Sequence, residues 1–338
     1  MRNSNIDIPV ALIFFNRPEQ FEKVFEKVKK AAPSKMFLIQ DGARPNNVKD
    51  VENIEKCRKI LEGIDWECEI VKDFSEENLG CGKRIFTGLT NCFKSVDRLI
   101  ILEDDCVPSN SFFTFCKEIL EKYKDDKRIG MITGMNHLNR FDKVDSDYFF
   151  ANTGSIAGWA TWKRSWDLAR FDLSEISDDS NVMRLLYNYQ KYAFHRNTIY
   201  DDVVSKNLQV KNGNKLSSWS TQFAVSQRLN SALIVVPKCN LMTNIGLTEE
   251  SANSVSNIKF IPKGLQPLYK LKLFEMEFPL KHPKYVMSDI EYGKKVDRLM
   301  RPNCVIAKWR KLESLMRRLF LGDFKKLKKK ALKKLFNK

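Results

Sequence analysis

Three consecutive carboxylates, Glu103-Asp104-Asp105, close the apolar run Leu99-Ile-Ile-Leu102. Acids held this close repel one another, and a divalent cation or several hydrogen-bond donors are the usual compensation. The run reads either as a cation site at the end of a buried strand or as a solvated acidic loop. On an extended chain alternate residues share a side, so Glu103 and Asp105 are expected to address one site while Asp104 turns to another group. Two further polar clusters follow apolar runs: Asn16-Arg17-Pro18 and Gln40-Asp41-Gly42. The Arg17 guanidinium suits a phosphate, and Asp41 suits donors on a base or ribose. As ordinary turn and capping residues both would be equally at home. Asn78-Leu-Gly80-Cys-Gly82-Lys83-Arg84 opens a helix-like stretch whose free amides and cations suit an anion. It is neither a Walker loop, since Glu77 stands at the first glycine position, nor a dinucleotide fingerprint, since Ile85 stands at the last.

Apolar, β-prone runs at Val10 to Phe15, Met36 to Gln40, Glu69 to Val71 and Leu99 to Leu102 alternate with helix-periodic stretches at Glu19 to Lys30, Val48 to Leu61 and Lys83 to Phe93. This alternation predicts a parallel sheet covered on both faces, with ligands outside the carboxyl ends of the strands, where the polar clusters fall. Beyond Asp105 the order predicts a helix over Phe112 to Lys124 and strands at Gly130 to Thr133, Tyr148 to Asn152 and Ala232 to Val236, making the sheet mixed. Residues 172 to 218 carry no clear period, Thr248 to Asn257 reads as a polar loop, and Pro262 to Pro302 as an irregular connection. Trp159, Trp162 and Trp166 stand at helical spacing and suit a core, although Gly158-Trp159 could flank an acceptor.

The chain has 338 residues, 43% hydrophobic and 30% charged, which excludes disordered and collagen-like classes. Its longest apolar run is too short to span a membrane, and Ile8 to Phe15 lacks the cleavage site of a signal peptide. Eight cysteines without a C-x-x-C pair, and three histidines, argue against structural zinc and fit a reducing cytoplasm. His195 lacks a serine partner motif for a triad. Net charge is +16, but residues 308 to 338 alone hold 13 basic against 2 acidic residues. From Trp309 the apolar residues Leu312, Met316, Leu319, Phe320, Phe324, Leu327, Ala331 and Leu335 recur mostly every third or fourth position. The expected tail is therefore a basic amphipathic helix that brings the body to an anionic membrane surface. A coiled-coil partner would need acidic pairing residues, and a nucleic-acid arm has no use for the apolar stripe.

In order, strand-Asn-Arg-Pro, strand-Gln-Asp-Gly, Asn-Leu-Gly-Cys-Gly-Lys-Arg, Glu-Asp-Asp-Cys-Val-Pro, Gly158-Trp-Ala-Thr-Trp162 and Val236-Pro-Lys-Cys-Asn240-Leu-Met-Thr-Asn244-Ile-Gly246 resemble bacterial GT-A nucleotide-sugar glycosyltransferases of the family-2-like type, similar in layout to N-acetylglucosaminyltransferase I. The resemblance spans roughly residues 8 to 255. It implies an α/β fold: a GT-A type, Rossmann-like mixed sheet flanked by helices, here followed by the basic amphipathic tail. It implies a catalytic domain over 1–260, split into a nucleotide-sugar half (1–125) and an acceptor half (126–260), then a connection (261–307) and the tail (308–338). By resemblance, Asp105 would bind a divalent cation (Mn2+ or Mg2+) on the donor diphosphate, Asp104 would lie near the ribose and Glu103 near the donor sugar. Asn16, Arg17 and Asp41 would contact the nucleotide, a uridine nucleotide on resemblance alone, and Lys83 and Arg84 the phosphates. The charge that builds on a departing nucleoside diphosphate suits such a cluster.

Two departures bear on catalysis. Where relatives carry an acid after the tryptophan, this chain has Trp219-Ser220-Thr221-Gln222, and where they carry Gly-Glu-Asp-Ala-Thr-His it has Thr248-Glu249-Glu250-Ser251-Ala252-Asn253. Serine alone is a poor base, so either the catalytic carboxylate is expected at Glu250, or at Asp202 or Asp201, or activity is altered or lost. The leading expectation is a metal-dependent glycosyltransferase that moves a sugar to a glycan acceptor, lipid-linked, for bacterial surface polysaccharide such as lipopolysaccharide or capsule. It would sit peripherally on the cytoplasmic face of the inner membrane. The enzymatic rival is a sugar nucleotidyltransferase, for which a glycine-rich loop would be expected where Phe14-Phe15-Asn16-Arg17 stands. The other rival is a non-catalytic membrane or nucleic-acid binding protein.

Overall fold

The computed structural model describes residues 3, 5–192, 198–213, 216, 219–247, 258–300 and 304–320. The chain runs β1 (Val10–Phe14), α1 (Pro18–Ala31), β2 (Lys35–Gln40), α2 (Val48–Ile60), β3 (Glu69–Phe74), α3 (Cys81–Cys92), β4 (Arg98–Glu103), β5 (Cys106–Pro108), α4 (Ser111–Lys122), β6 (Ile129–Thr133), β7 (Tyr148–Ala151) and β8 (Trp159–Trp162). It continues with α5 (Lys163–Trp166), α6 (Ser174–Asp178), α7 (Ser180–Tyr192), α8 (Ile199–Lys211), α9 (Ser220–Leu229), β9 (Leu233–Pro237), β10 (Met242–Asn244), α10 (Ile290–Met300) and α11 (Cys304–Phe320).

An eight-stranded sheet has the order β3-β2-β1-β4-β8-β6-β9-β7. β1 pairs in parallel with both β2 and β4, β2 with β3, and β6 with β9, whereas β8 and β7 run antiparallel to their neighbours. The expected mixed, Rossmann-like sheet flanked by helices is therefore what the chain forms. A separate β5–β10 ribbon follows the acidic run. Because side chains alternate along a strand, Val10, Leu12 and Phe14 enter the core under α1 and α4, and Ala11 and Ile13 the core under α3, α9 and α10. Phe14 and Phe21 stack with centroids 4.3 Å apart, fixing the corner between β1 and α1 that carries Arg17. Such a pair contributes about 0.5–1.5 kcal/mol beyond the area it buries.

Several expectations change on folding. Trp159 and Trp162 lie on β8, not a helix, and enter opposite cores because three residues along a strand reverse the face. The stretch without clear period contains α6, α7 and α8, which share a small core with Val225. Within the expected irregular connection, α10 buries Tyr292 and Val296 against the sheet.

In α11 the polar face is the one that meets the body. Arg310 donates to Leu299 O at 2.7 Å, Ser314 to Phe260 O at 3.2 Å and Arg317 to Lys259 O at 3.2 Å, while Arg318 is buried over the Phe260 ring. The apolar stripe of Val305, Trp309, Leu312, Met316 and Phe320 faces outward, with Trp309 63% and Phe320 80% exposed. Among the described residues no helix is long and apolar enough to cross a membrane.

Candidate functional site

β4 ends level with β1, Glu103 opposite Ile13, and the chain then turns over Asp104 and Asp105. That turn breaks the alternation expected of an extended chain. Asp104 and Asp105 consequently address the same partner, Arg17, which the β1–α1 corner delivers from the neighbouring strand. Arg17 Nε donates to Asp104 Oδ2 at 3.2 Å, Nη1 to Asp105 Oδ2 at 3.0 Å, and Nη2 closes on Asp104 Oδ1. Phe15 N adds a bond to Asp104 Oδ2 at 3.3 Å. The guanidinium fork expected to hold phosphate is thus occupied by carboxylates, whose planar geometry it matches.

The three acids do not ionise alike. Burial pushes the Glu103 carboxyl up to about 8, with Asp105 and Asp104 adding to the rise and Arg17 opposing it. Burial likewise raises Asp104 in spite of Arg17. For Arg17, the two carboxylates outweigh burial and hold the guanidinium above its ordinary value. With Glu103 largely protonated near neutral pH, Asp104 and Asp105 still set two carboxylates against one guanidinium, an excess that a divalent cation would relieve. Among the described residues no three His, Cys, Asp or Glu side chains are grouped to hold a metal. Magnesium-like ions commonly take one or two carboxylates and complete their shell with water and substrate phosphate. Asp105, with Asp104 beside it, can serve in that way.

Sequence reasoning missed the partners of Asp105 from the far side of the chain. Asn244 Nδ2 donates to Asp105 Oδ1 at 2.9 Å, and Ile245 N to Asp105 O at 2.8 Å. A Cβ at Gly246 would collide with Asp105 Oδ2, so a larger residue there would have to displace that carboxylate. The Asn244-Ile-Gly246 run was visible as a motif, but its role depends on β10 pairing with β5.

The other expected ligand residues divide. Asp41 is turned inward to its own loop: Oδ1 accepts from Gly42 N at 3.1 Å and Leu79 N at 2.9 Å, and Oδ2 from Gly80 N at 2.9 Å. The Leu79 and Gly80 amides ahead of α3 therefore bind this carboxylate, which shapes the loop before the helix, where Gly80 takes φ +79°. Arg84 is buried, donates to Gln40 O at 3.1 Å and pairs with Asp73 at 2.6 Å, so it ties α3 to β2 and β3 and is not available to phosphates. Lys83 stands exposed on the first turn of α3. Asn16 Nδ2 donates to Asp50 Oδ1 at 2.7 Å, and Asn53 holds the Asn16 carbonyl.

Of the expected bases, Glu250 lies outside the described residues, as do Glu249 and His195. Asp201 accepts from Gln190 at 2.9 Å and Asp202 from Thr198 at 2.8 Å on the first turn of α8. Neither bonds to the acidic cluster. Asp202 and Ser220 instead line a cavity of about 260 Å3 between the β6–β9 face and helices α8, α9 and α10. His137 also lines it, and burial lowers its imidazole to about 4. At this side chain the folded chain binds fewer protons than the unfolded one between pH 4 and 6.5, whereas at Glu103 it binds more. His137's own contribution should therefore destabilise the chain on acidification through that window, with a slope approaching about 1.4 kcal/mol per pH unit for this group. Denaturant titrations of wild type and His137→Leu at several pH values check this: the variant should lose less stability on acidification, and parallel curves would exclude the effect.

No family model matches the sequence, and no curated protein is similar to it. Solved structures similar to the chain include a UDP-glucose pyrophosphorylase complexed with UDP-glucose, 10% identical over 70% of this chain and 92% of that one, with a TM-score of 0.33. An inositol-1-phosphate CTP transferase from T. maritima is 10% identical over 73% of this chain and 92% of that one, with a TM-score of 0.36. A 4-diphosphocytidyl-2C-methyl-D-erythritol synthase from Anaerococcus prevotii DSM 20548 is 13% identical over 53% and 84%, with a TM-score of 0.31. The glycosyltransferase expectation is corrected at this point, since the proteins found are nucleotidyltransferases.

Proposed function

We propose that the chain is a divalent-cation-dependent nucleotidyltransferase that joins a nucleoside triphosphate to a phosphorylated sugar. One observation carries the reading: the Asp104–Asp105 pair, clamped by Arg17 at the carboxyl ends of β1 and β4, with more negative charge than Arg17 balances. In such sheets ligands bind at this edge. Asp105 and Asp104 would hold the cation, which supplies charge neutralisation at the triphosphate when bound. Arg17 keeps the two carboxylates oriented, and Lys83 adds positive charge at the opening of α3.

In the reaction a sugar-phosphate oxygen forms a bond to the α-phosphorus, the bond from that phosphorus to the bridging β-phosphate oxygen breaks, and pyrophosphate leaves. The nucleophile is already largely deprotonated near neutral pH, since the second phosphate pKa is about 6. The step therefore needs no protein base, and Ser220 in place of an acid ceases to be an obstacle. No glycine-rich loop follows β1, where Phe14-Phe15-Asn16-Arg17 stands, and the support for this reading comes from the acidic pair alone. Incubation with Mg2+, each nucleoside triphosphate and a panel of sugar 1-phosphates tests the reading. Pyrophosphate release should require both substrates and yield a nucleoside-diphosphate sugar by mass spectrometry; release that is indifferent to the sugar phosphate sinks it.

The same protein would work at an anionic membrane surface. The outward apolar stripe of α11 supports this, flanked by exposed Lys308 and Lys311 and followed in sequence by the lysine-rich residues 321–338. A helix that spends its polar face on its own body keeps its apolar face for another phase. A second copy is the poorer occupant, because it would bring two strongly basic segments together.

A further inference from the structure

The four side-chain oxygens of Asp104 and Asp105 are of two kinds. Asp104 Oδ2 accepts from Phe15 N at 3.3 Å as well as from Arg17 Nε, and Asp105 Oδ1 accepts from Asn244 Nδ2 at 2.9 Å and from the Cys106 thiol at 3.4 Å. The other two, Asp104 Oδ1 and Asp105 Oδ2, are held among the described residues by Arg17 alone, through Nη2 and Nη1. Each carboxylate thus has one oxygen tethered by the backbone after β1 or by β10, and one that depends on the guanidinium. Withdrawal of Arg17 would release the second oxygen of each without untying the first. The two oxygens set free belong to adjacent carboxylates, and hard divalent cations take oxygens of this kind.

Arg17 can withdraw at its side chain while its backbone stays in place. It stands at the N-cap of α1, where its carbonyl accepts from Phe21 N at 3.0 Å, whereas its long side chain is 19% exposed and so reaches solvent. Charge sets the condition for release. A divalent cation on the same two oxygens would share each carboxylate with the guanidinium, three positive charges against two negative, and like charges this close repel. A bare cation must drive the guanidinium off its charge-assisted bonds into water. One that arrives with a polyphosphate brings a new anion, whose oxygens suit the planar fork as well as carboxylates do. Given the nucleotidyltransferase reading, on which this inference rests, we infer that Arg17 is an exchangeable occupant of the cation site. It holds Asp104 and Asp105 until a cation arrives, yields Asp104 Oδ1 and Asp105 Oδ2, and passes its fork to a phosphate of the same nucleotide. Cation and nucleotide then bind as a pair, and free divalent ions are held off.

Binding of Mn2+ to the full chain, followed by calorimetry and by electron paramagnetic resonance, alone and with each common nucleoside triphosphate, tests the exchange. After correction for Mn2+ held by the nucleotide itself, wild type should bind the ion about tenfold or more tightly with nucleotide than without. Arg17→Met should move the two affinities in opposite directions, Mn2+ alone about tenfold tighter and the Mn2+–nucleotide complex about tenfold weaker. Arg17→Lys keeps the charge without the fork; it should fall between the two proteins, and it replaces the methionine variant if that one does not fold. In wild type the Arg17 Nε–H resonance should shift when Mg2+ and nucleotide are added together and stay in place with nucleotide alone. Affinities that fall together in the variants, or a resonance unmoved at saturating Mg2+ and nucleotide, overturn the exchange and leave the nucleotidyltransferase reading standing. A wild-type chain that binds no nucleotide at any Mn2+ concentration overturns both.

Discussion

Asp105→Asn is expected to lower nucleotidyl transfer by on the order of a hundredfold or more, with little change in fold. The amide keeps the shape of the carboxylate and its bond from Asn244, but removes the charge that would hold a divalent cation to the triphosphate. Calorimetric titration with Mg2+ and nucleotide together should show the same loss. Nucleotide binding that is as tight in the variant as in wild type, at the same Mg2+ concentration, would remove Asp105 from the site. Arg17→Met supplies the converse measurement. It leaves Asp104, 4% exposed at its side chain, and Asp105 facing each other without their common cation. Breaking a buried pair by deleting one partner costs about 3–5 kcal/mol, so thermal stability should fall well below that of wild type. Added Mg2+ or Mn2+ should restore more stability in this variant than in wild type, because the cation then has no guanidinium to compete with. Equal responses in the two proteins would assign the acidic pair a purely structural role.

The second large effect concerns α11. The intact chain should float with vesicles containing phosphatidylglycerol and hardly at all with pure phosphatidylcholine, and added salt should weaken the association. Each basic side chain near an anionic surface contributes about 1 kcal/mol, so several together are needed for stable binding in addition to the apolar stripe. Replacing Trp309, Leu312 and Met316 by glutamate reverses the outward face without disturbing Arg310, Ser314 or Arg317, which dock the helix on the body. That variant should lose flotation and keep nucleotide binding. Flotation that survives the change, or a wild-type protein whose stripe is covered in a stable dimer, would dismiss the membrane assignment.

Much of the carboxyl edge of the sheet was legible locally. Strand runs at residues 10–14, 35–40 and 98–103, with the helices between them, follow from hydrophobic periodicity, and periodicity depends on neighbours a few positions away. Because parallel strands deliver their following residues to one edge, the strand pattern alone puts Arg17, Asp41 and Glu103-Asp104-Asp105 on the same edge. It does not set their partners. Arg17 meets Asp104 and Asp105 across 87 and 88 residues, and Asn244 reaches Asp105 across 139, contacts set by strand order and by the β5–β10 ribbon. Nothing local indicates that Asp41 satisfies amides of its own sheet edge, or that Arg84 is spent on Asp73.

The same division holds for the rest of the chain. Composition and spacing by themselves determined an α/β protein with an acidic strand end and a basic, amphipathic C-terminal helix, because these are properties of residues near one another in sequence. Only the tertiary structure decided that the helix turns part of its charged face inward and that Asp202 lines a cavity apart from the acidic cluster. The physical reason is common to both. A side chain's partner is chosen by packing among elements distant in sequence, and a periodic pattern specifies which residues share a face without specifying what that face will meet.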